Sequence, residues 1–184
     1  MSPNLGIIAS SISGHLYTIT GNYDALSTVT VPSGGLSSIT FAGIPTTGYS
    51  HLQVRVSAAL VSGNQLCRME LNSDTTTTNY YTHALEGDGS TAYAYSGNIF
   101  PYVFAAAGGT TYFSGAVIDI LEYANTNKYK TIRSLYGYDA NGSGGVSLFS
   151  GLWKNTNATT TIKIYPNYGA NFSEYSSFAL YGVK

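Results

Sequence analysis

Apolar and polar residues alternate along most of this chain with a period of two. In the clearest segment, Leu52, Val54 and Val56 fall on one side, and Gln53 and Arg55 fall on the other. This pattern is typical of a β-strand that has one buried face and one solvated face. Comparable runs, bounded by Gly, Asn, Ser or Pro, occupy residues 66–71, 80–85, 112–123, 129–138, 146–153, 161–165 and 177–183. Together with two short runs nearer the start of the chain, they predict roughly ten strands.

The connections between these runs carry residues that favour turns. Val29 and Val31 precede the tetrapeptide Pro-Ser-Gly-Gly at 32–35, and Ile39 and Phe41 follow it. Because glycine adopts positive φ without strain, this segment predicts a hairpin between the two short runs.

Three other segments are predicted to be connections. Residues 86–89 and 141–145 combine Asn, Asp and Gly, which tolerate left-handed backbone angles, and both predict tight turns. Residues 72–79 include four consecutive threonines and predict an exposed loop from which nothing reaches a core.

The same pattern determines the predicted fold class. No segment places apolar residues at i, i+3, i+4 and i+7 over several helical turns, so any helix is short. Strands without helical crossovers pair antiparallel, and two sheets packed face to face are the common result. The sequence therefore predicts an all-β, antiparallel two-sheet β-sandwich with a jelly-roll-like topology. Its 184 residues suffice for one domain, and we expect an N-terminal arm at 1–22 and a single β-sandwich domain at 23–184.

Two of the predicted strands carry bulky apolar residues on both faces. Between 116 and 123, Ile118 and Ile120 alternate with neighbours on the opposite face, and Phe178 and Leu180 do so in the last strand. A strand covered on both faces is either central in a thick domain or in contact with another subunit. We favour subunit contact and expect it to involve Val117, Leu121, Tyr123, Tyr181 and Val183.

Charged residues are scarce, at 9% against roughly 25% in an average globular protein. A surface of Ser, Thr, Asn, Gly and Tyr suits a particle whose subunits touch many neighbours, because buried charges would each need a partner. An ordinary secreted β domain is the alternative. The net charge of −1 argues against nucleic-acid binding, and Lys128, Lys130 and Arg133 are interpreted, with Tyr129, as a solvated strand face. No apolar run is long enough to span a membrane.

Residues that could carry chemistry are few and dispersed. His15, His51 and His83 form no two-histidine ligand motif, and Cys67 stands alone, so we expect neither a metal nor a cofactor. Asp119 and Glu122 are three residues apart on a predicted strand, which directs them to opposite faces.

The remaining acidic candidate is Asp139, in Asp-Ala-Asn-Gly at 139–142. This segment lacks the ligand spacing of a calcium loop and is interpreted as a turn. We expect no enzymatic activity, and the hypothesis of a depolymerase built on Asp119, Glu122 or Asp139 ranks last.

Tyrosine is abundant, with 17 residues, and its amphipathic ring gives a large contact area at low entropic cost. The partner of such rings could be protein or sugar. If it is sugar, we expect exposed loops around a group of five tyrosines to contact it. These are Tyr80, Tyr81, Tyr93, Tyr95 and Tyr102.

Three segments carry a resemblance to a known group. They are LGIIASS at 5–11, IDILEYANTNKYKT at 118–131 and YSSFALYGVK at 175–184. They resemble segments of small β-rich virion structural proteins of tailed bacteriophages, particularly phages of cyanobacteria and marine bacteria. Weaker likeness runs through the middle of the chain. The group supplies no catalytic residues to transfer, so the resemblance implies a location and not a mechanism.

The resemblance implies two roles for the chain. The first is a capsid decoration, or cement, protein on the outer surface of the virion, where we expect a homotrimer that binds the major capsid protein and other virion proteins. The alternative is a tail-fibre or receptor-binding tip that recognises host surface polysaccharide. A fibre usually needs an anchor and a long shaft besides its tip, and only a short arm precedes the first confident strand here, so decoration ranks first.

Overall fold

A computed structural model describes residues 21–109 and 111–184 of the chain, which is built almost entirely of strands. The predicted arm lies outside the described residues apart from its last two. The twelve strands are β1 (Tyr23–Thr30), β2 (Ile39–Ala42), β3 (His51–Ala58), β4 (Gln65–Leu71), β5 (Tyr80–Gly87), β6 (Ala92–Gly97), β7 (Tyr102–Ala106), β8 (Ser114–Leu121), β9 (Lys130–Asp139), β10 (Gly144–Trp153), β11 (Thr161–Pro166) and β12 (Ser177–Val183).

The strands form two antiparallel sheets packed as a sandwich, which confirms the predicted fold class. The large sheet has eight strands in the order β1-β12-β3-β8-β9-β10-β5-β6, and the small sheet has four in the order β2-β11-β4-β7. The pairs β1–β12, β2–β11, β3–β8 and β4–β7 are nested, with the first strand pairing with the last and each later pair lying inside it in sequence. This nesting, alternating between two sheets, is the topology of a jelly roll.

Two insertions extend the large sheet beyond the four strands that the jelly roll contributes to it. Strands β5 and β6 are inserted between β4 and β7, and β9 and β10 between β8 and β11. All four add to the β8 edge, because β9 pairs with β8, β10 with β9, β5 with β10, and β6 with β5. The large sheet is therefore twice as wide as the small sheet that packs against it.

The core lies between the two sheets and takes alternate side chains from each strand. Leu52, Val54 and Phe178 are buried on the inner face of the large sheet, as the alternation predicts. Phe172 packs against Phe178 with ring centroids 4.9 Å apart, and Phe104 stacks on Phe172 at 6.3 Å. Such aromatic pairs add about 0.5–1.5 kcal/mol beyond their area burial.

The predicted hairpin around residues 32–35 is wrong, although its turn chemistry is present. Gly34 and Gly35 do have positive φ, of 93° and 77°. However, β1 pairs with β12 in the large sheet and β2 pairs with β11 in the small sheet, so the segment crosses between the sheets. A glycine is required at 35 because a Cβ there would lie 2.6 Å from the carbonyl oxygen of Phe172.

Two strands, β6 and β7, were not predicted. They contain Ala-Tyr-Ala-Tyr and Phe-Ala-Ala, and alanine has low β-propensity and little apolar contrast with its neighbours. Both strands instead owe their conformation to pairing, β6 with β5 and β7 with β4.

The interpretation of Lys128, Lys130 and Arg133 as a solvated strand face is wrong for Lys130. Its side chain is fully buried, and its ammonium group donates hydrogen bonds to the carbonyl oxygens of Asn125, Lys128 and Thr156 at 2.6, 3.0 and 3.1 Å. Burial lowers the pKa of this group. Lys130 therefore joins two connections at one end of the sandwich, whereas Lys128 is exposed and pairs with Glu122.

The loop at 72–79 is present, but one of its residues does reach the core. The Asp74 carboxylate accepts hydrogen bonds from the indole of buried Trp153 and from Asn79, each at 2.8 Å, and from the backbone of Thr76. Partial burial alone would raise the pKa of Asp74, but these hydrogen bonds outweigh it and hold the pKa below its usual value.

We expect Asp74→Ala to lower the free energy of unfolding at pH 7 by about 1–3 kcal/mol, because the buried indole loses its acceptor. Asp74→Asn keeps an acceptor and should cost less. Since the pKa is depressed in the folded state, the contribution of the carboxylate is present above the unfolded pKa, about 4, and is lost as the pH falls through the folded pKa. Urea unfolding of the wild type and the Ala variant at pH 7 and pH 3 would show the difference shrinking in acid. An equal difference at both pH values would contradict this role.

Candidate functional site

Among residues 21–109 and 111–184, no further sheet packs on the face of the large sheet that points away from the small sheet, and we call it the open face. On it the strand register aligns one residue from each of five neighbouring strands across the sheet. These residues, which we call the apolar row, are Val117, Leu135, Leu148, Leu85 and Ala94. All five are aliphatic, so the row forms a continuous apolar band perpendicular to the strands.

The large side chains of this band are unusually exposed. Val117 is 42% exposed, Leu148 51%, Leu85 56% and Leu135 57%, and neighbouring Val146 is 56% exposed. In the described part of the chain, five of the six strongly exposed Val, Leu or Ile side chains lie on this face, the other being Val61. Singly scattered apolar residues are normal on a surface, but a contiguous group indicates an interaction site.

Beside the row, glycines leave the surface concave. Gly115 pairs with Gly137, and Gly137 pairs with Val146. Each of these three residues lies two positions along its strand from a member of the apolar row, on the same face. The depression has a volume of about 530 Å³, and Arg55, Val117, Leu135 and Val146 are among its walls. A side chain from a partner could therefore enter between Val117, Leu135 and Val146.

On the other side of the row, the open face is polar. Gln53 donates to Asp119 at 2.9 Å, and Asp119 lies opposite Arg133 in the register. Arg55 donates to Gln53 at 2.9 Å, and its guanidinium lies over the ring of Tyr181, 4.8 Å from the centroid. An apolar centre with a hydrogen-bonded polar rim is the usual anatomy of a protein interface.

The outer face of the small sheet has a different character. It carries Glu70 and Lys163, whose charged groups are 3.9 Å apart, and Lys163 also lies over the ring of Tyr165. Arg68 lies over the ring of Tyr102 at 5.4 Å. Within residues 21–109 and 111–184, no strongly exposed Val, Leu or Ile lies on a small-sheet strand. The two outer faces therefore differ sharply, and the open face is the candidate for binding.

Four of the five residues predicted for subunit contact lie on the open face. Val117 belongs to the apolar row, and Leu121, Tyr181 and Val183 lie on the open face, partly buried, nearer its far end. Tyr123 was assigned to this face wrongly, because it is fully buried and its hydroxyl donates to the carbonyl oxygen of Pro45 at 2.5 Å. Strand β8 ends at Leu121 and Glu122 has a φ of 47°, so the alternation breaks before Tyr123.

Sequence reasoning missed four residues of this face, Leu85, Leu135, Val146 and Leu148. A signal was present, because Leu135 precedes Tyr136 and Leu148 precedes Phe149, which gives both strands bulk on two faces. This is the criterion that selected Val117 and Leu121, and it applies equally to β9 and β10.

The acidic candidates do not share a site. Asp119 lies on the open face and is bonded to Gln53, whereas Glu122 lies beyond the end of β8 and pairs with Lys128. Asp139 accepts a hydrogen bond from the backbone of Asn141 at 2.8 Å, which confirms the predicted turn. In the described part of the chain, no three His, Cys, Asp or Glu side chains group as metal ligands would. Nor is any helix there long and apolar enough to cross a membrane.

The five tyrosines considered for sugar binding lie on strands and not in loops. Tyr80 is buried, and Tyr95 and Tyr102 pack edge to face, with ring centroids 6.4 Å apart. Tyr81 packs on His83 at 5.1 Å. Tyr93 is 46% exposed, and its hydroxyl donates to Asp88. The five rings therefore form no common exposed platform.

Comparisons with protein-family models, with curated proteins and with solved structures find no match for this chain.

Proposed function

We propose that this chain is a structural protein of a tailed-phage virion, a capsid decoration protein that binds neighbouring protein subunits through its open face. The observation that carries the binding role is the apolar row with Val146, five large aliphatic side chains exposed together on one sheet face. The virion location rests on the resemblance of its three segments, and the scarcity of charge suits close contact with many neighbours.

The size of the open face suits a protein partner. Eight strands about 4.8 Å apart and about 25 Å long present roughly 850 Å². A stable interface of standard size needs about 800 Å² from each partner. A small ligand would need a deep enclosed cavity, whereas the depression beside the row is shallow and lies on a broad, regular surface.

The energy available from the row favours repeated, multivalent contact. Each half-exposed Leu or Val contributes about 1 kcal/mol when the rest of its surface is buried, so the five contribute about 5 kcal/mol. Association costs about 4–15 kcal/mol. One such face alone therefore binds weakly, and an oligomer that engages several capsid subunits at once gains the rest through effective concentration.

A receptor-binding tip that recognises polysaccharide is the alternative, and it has less support. Exposed aromatic rings would have to stack on sugar faces. Of the five tyrosines proposed for this task, Tyr93 is the most accessible, and its hydroxyl is already bonded to Asp88.

Immunogold labelling of intact particles, with antibody raised against the chain, tests the proposed location. Label spread over the head supports decoration, and label confined to the tail tip would replace it with receptor binding. Particles without label at either place would remove the virion role altogether.

A further inference from the structure

The free edge of β6 differs from the other three sheet edges of the sandwich. Edge strands expose unpaired N–H and C=O groups, and proteins protect them with bulges, charges, prolines or short length. Strand β1 has a bulge between Ala25 and Ser27, and β7 follows Pro101 and pairs irregularly with β4 at Cys67. Strand β2 has four residues. Three edges therefore carry a recognised protection.

Strand β6 has none of these features. Its six residues, Ala-Tyr-Ala-Tyr-Ser-Gly, include no charge and no proline, and they pair with β5 in unbroken register from Gly87–Ala92 to Thr82–Gly97. In the described part of the chain, no other strand pairs with its outer edge. Such an edge is a template for another strand.

We propose that β6 pairs with β6 of a second copy of this chain, antiparallel and about a two-fold axis through Ala94. An antiparallel strand is complementary to itself, so a two-fold pair needs no second kind of surface. The absence of charge on β6 means that pairing brings no like charges together. A second copy is therefore the occupant that this edge fits.

The register follows from the two faces of the strand. Directly opposed residues share a face, and Ala92, Ala94 and Ser96 lie on the open face. Centring on Ala94 places Ala92 opposite Ser96 of the second copy and Tyr93 opposite Tyr95. Centring on Tyr95 would instead place Ala94 opposite Ser96 and align the apolar row with the polar rim.

Pairing centred on Ala94 would join the apolar rows of both copies into one band. The two large sheets become a single sixteen-stranded sheet, and the tyrosine pairs on its inner face add favourable cross-strand contacts. The smallest oligomer is then a dimer and not the trimer expected for a decoration role. This inference does not rest on the proposed function, because it concerns the free chain.

Light scattering of the purified chain at micromolar concentration tests the pairing. We expect the mass of two chains for the wild type and of one chain for Ala94→Lys, which sets two ammonium groups against each other. Ala94→Glu should also be monomeric, and mixing the two variants should restore the dimer. Thr30→Lys on the β1 edge is the matched control and should remain dimeric. A monomeric wild type, or an Ala94→Lys variant of unchanged mass, would overturn the proposal.

Cross-linking tests the register independently of any loss of folding. Opposed residues of an antiparallel pair have Cα atoms about 4.5–5.5 Å apart, within disulfide range. Ala94→Cys should therefore form a disulfide-linked dimer on mild oxidation, whereas Ala92→Cys should not, and the native Cys67 is buried. Equal cross-linking of both variants would contradict the register.

Discussion

Replacing Leu135 with Asp and Leu148 with Lys together is expected to weaken binding of the chain to its particle by about 100-fold or more. The two residues are direct cross-strand neighbours at the centre of the apolar row, and each is more than half exposed. Opposite charges at these positions stabilise the sheet, so the free chain should fold normally. Docking would have to bury two charges in place of two leucines, at a cost of about 3 kcal/mol or more.

A matched control exists on the opposite side of the sandwich. Thr40 lies opposite Lys163 on the small sheet, so Thr40→Asp creates the same kind of ion pair there with one substitution. Co-sedimentation with particles that lack the chain would measure both variants. Binding that survives the Leu135/Leu148 change but fails with Thr40→Asp would move the binding site to the small sheet.

Lys130→Met is expected to lower the free energy of unfolding by about 3 kcal/mol. Methionine fills a similar volume, but the carbonyl oxygens of Asn125, Lys128 and Thr156 lose the ammonium group that bonds all three. Buried polar groups left without a partner cost about 1–3 kcal/mol each, less whatever water or rearrangement recovers.

The control for this prediction is Lys128→Met, two residues away. Lys128 is half exposed and pairs with Glu122 at the surface, so its replacement should change stability by less than about 1 kcal/mol. Denaturant unfolding at neutral pH compares the two variants. Equal effects would mean that Lys130 is solvated, as the sequence pattern alone suggested.

The strands were predictable wherever burial alternates cleanly. Strand β3 contains Leu52, Val54 and Val56, which alternate with polar residues in the clearest of the predicted segments. Strand β12 coincides with its predicted run, 177–183, because Phe178 and Leu180 still mark every second position there. Their pairing was not predictable in the same way. The glycines at 34 and 35 indicate a change of direction, but whether the chain returns to the same sheet or crosses to the other depends on contacts with distant Phe172.

The binding face was only partly predictable for a related reason. Val117 was found because its own strand carries bulk on both faces, which is a local signal. The apolar row, however, consists of residues 85, 94, 117, 135 and 148, which become neighbours through the pairing of five strands. The burial of Lys130 was also not predictable from its own strand. Its hydrogen-bond partners belong to two connections, and the alternation of apolar and polar residues carries no information about them.

Side-chain footprinting of the chain, free and bound to its particle, most directly tests whether the open face is the binding surface. Hydroxyl radicals modify exposed leucines, and Leu85, Leu135 and Leu148 are each more than half exposed in the free chain. We expect these three to become protected on the particle while Tyr165 and Lys163 of the small sheet stay as reactive as before. Unchanged leucines with protection of the small sheet would contradict a binding role for the open face.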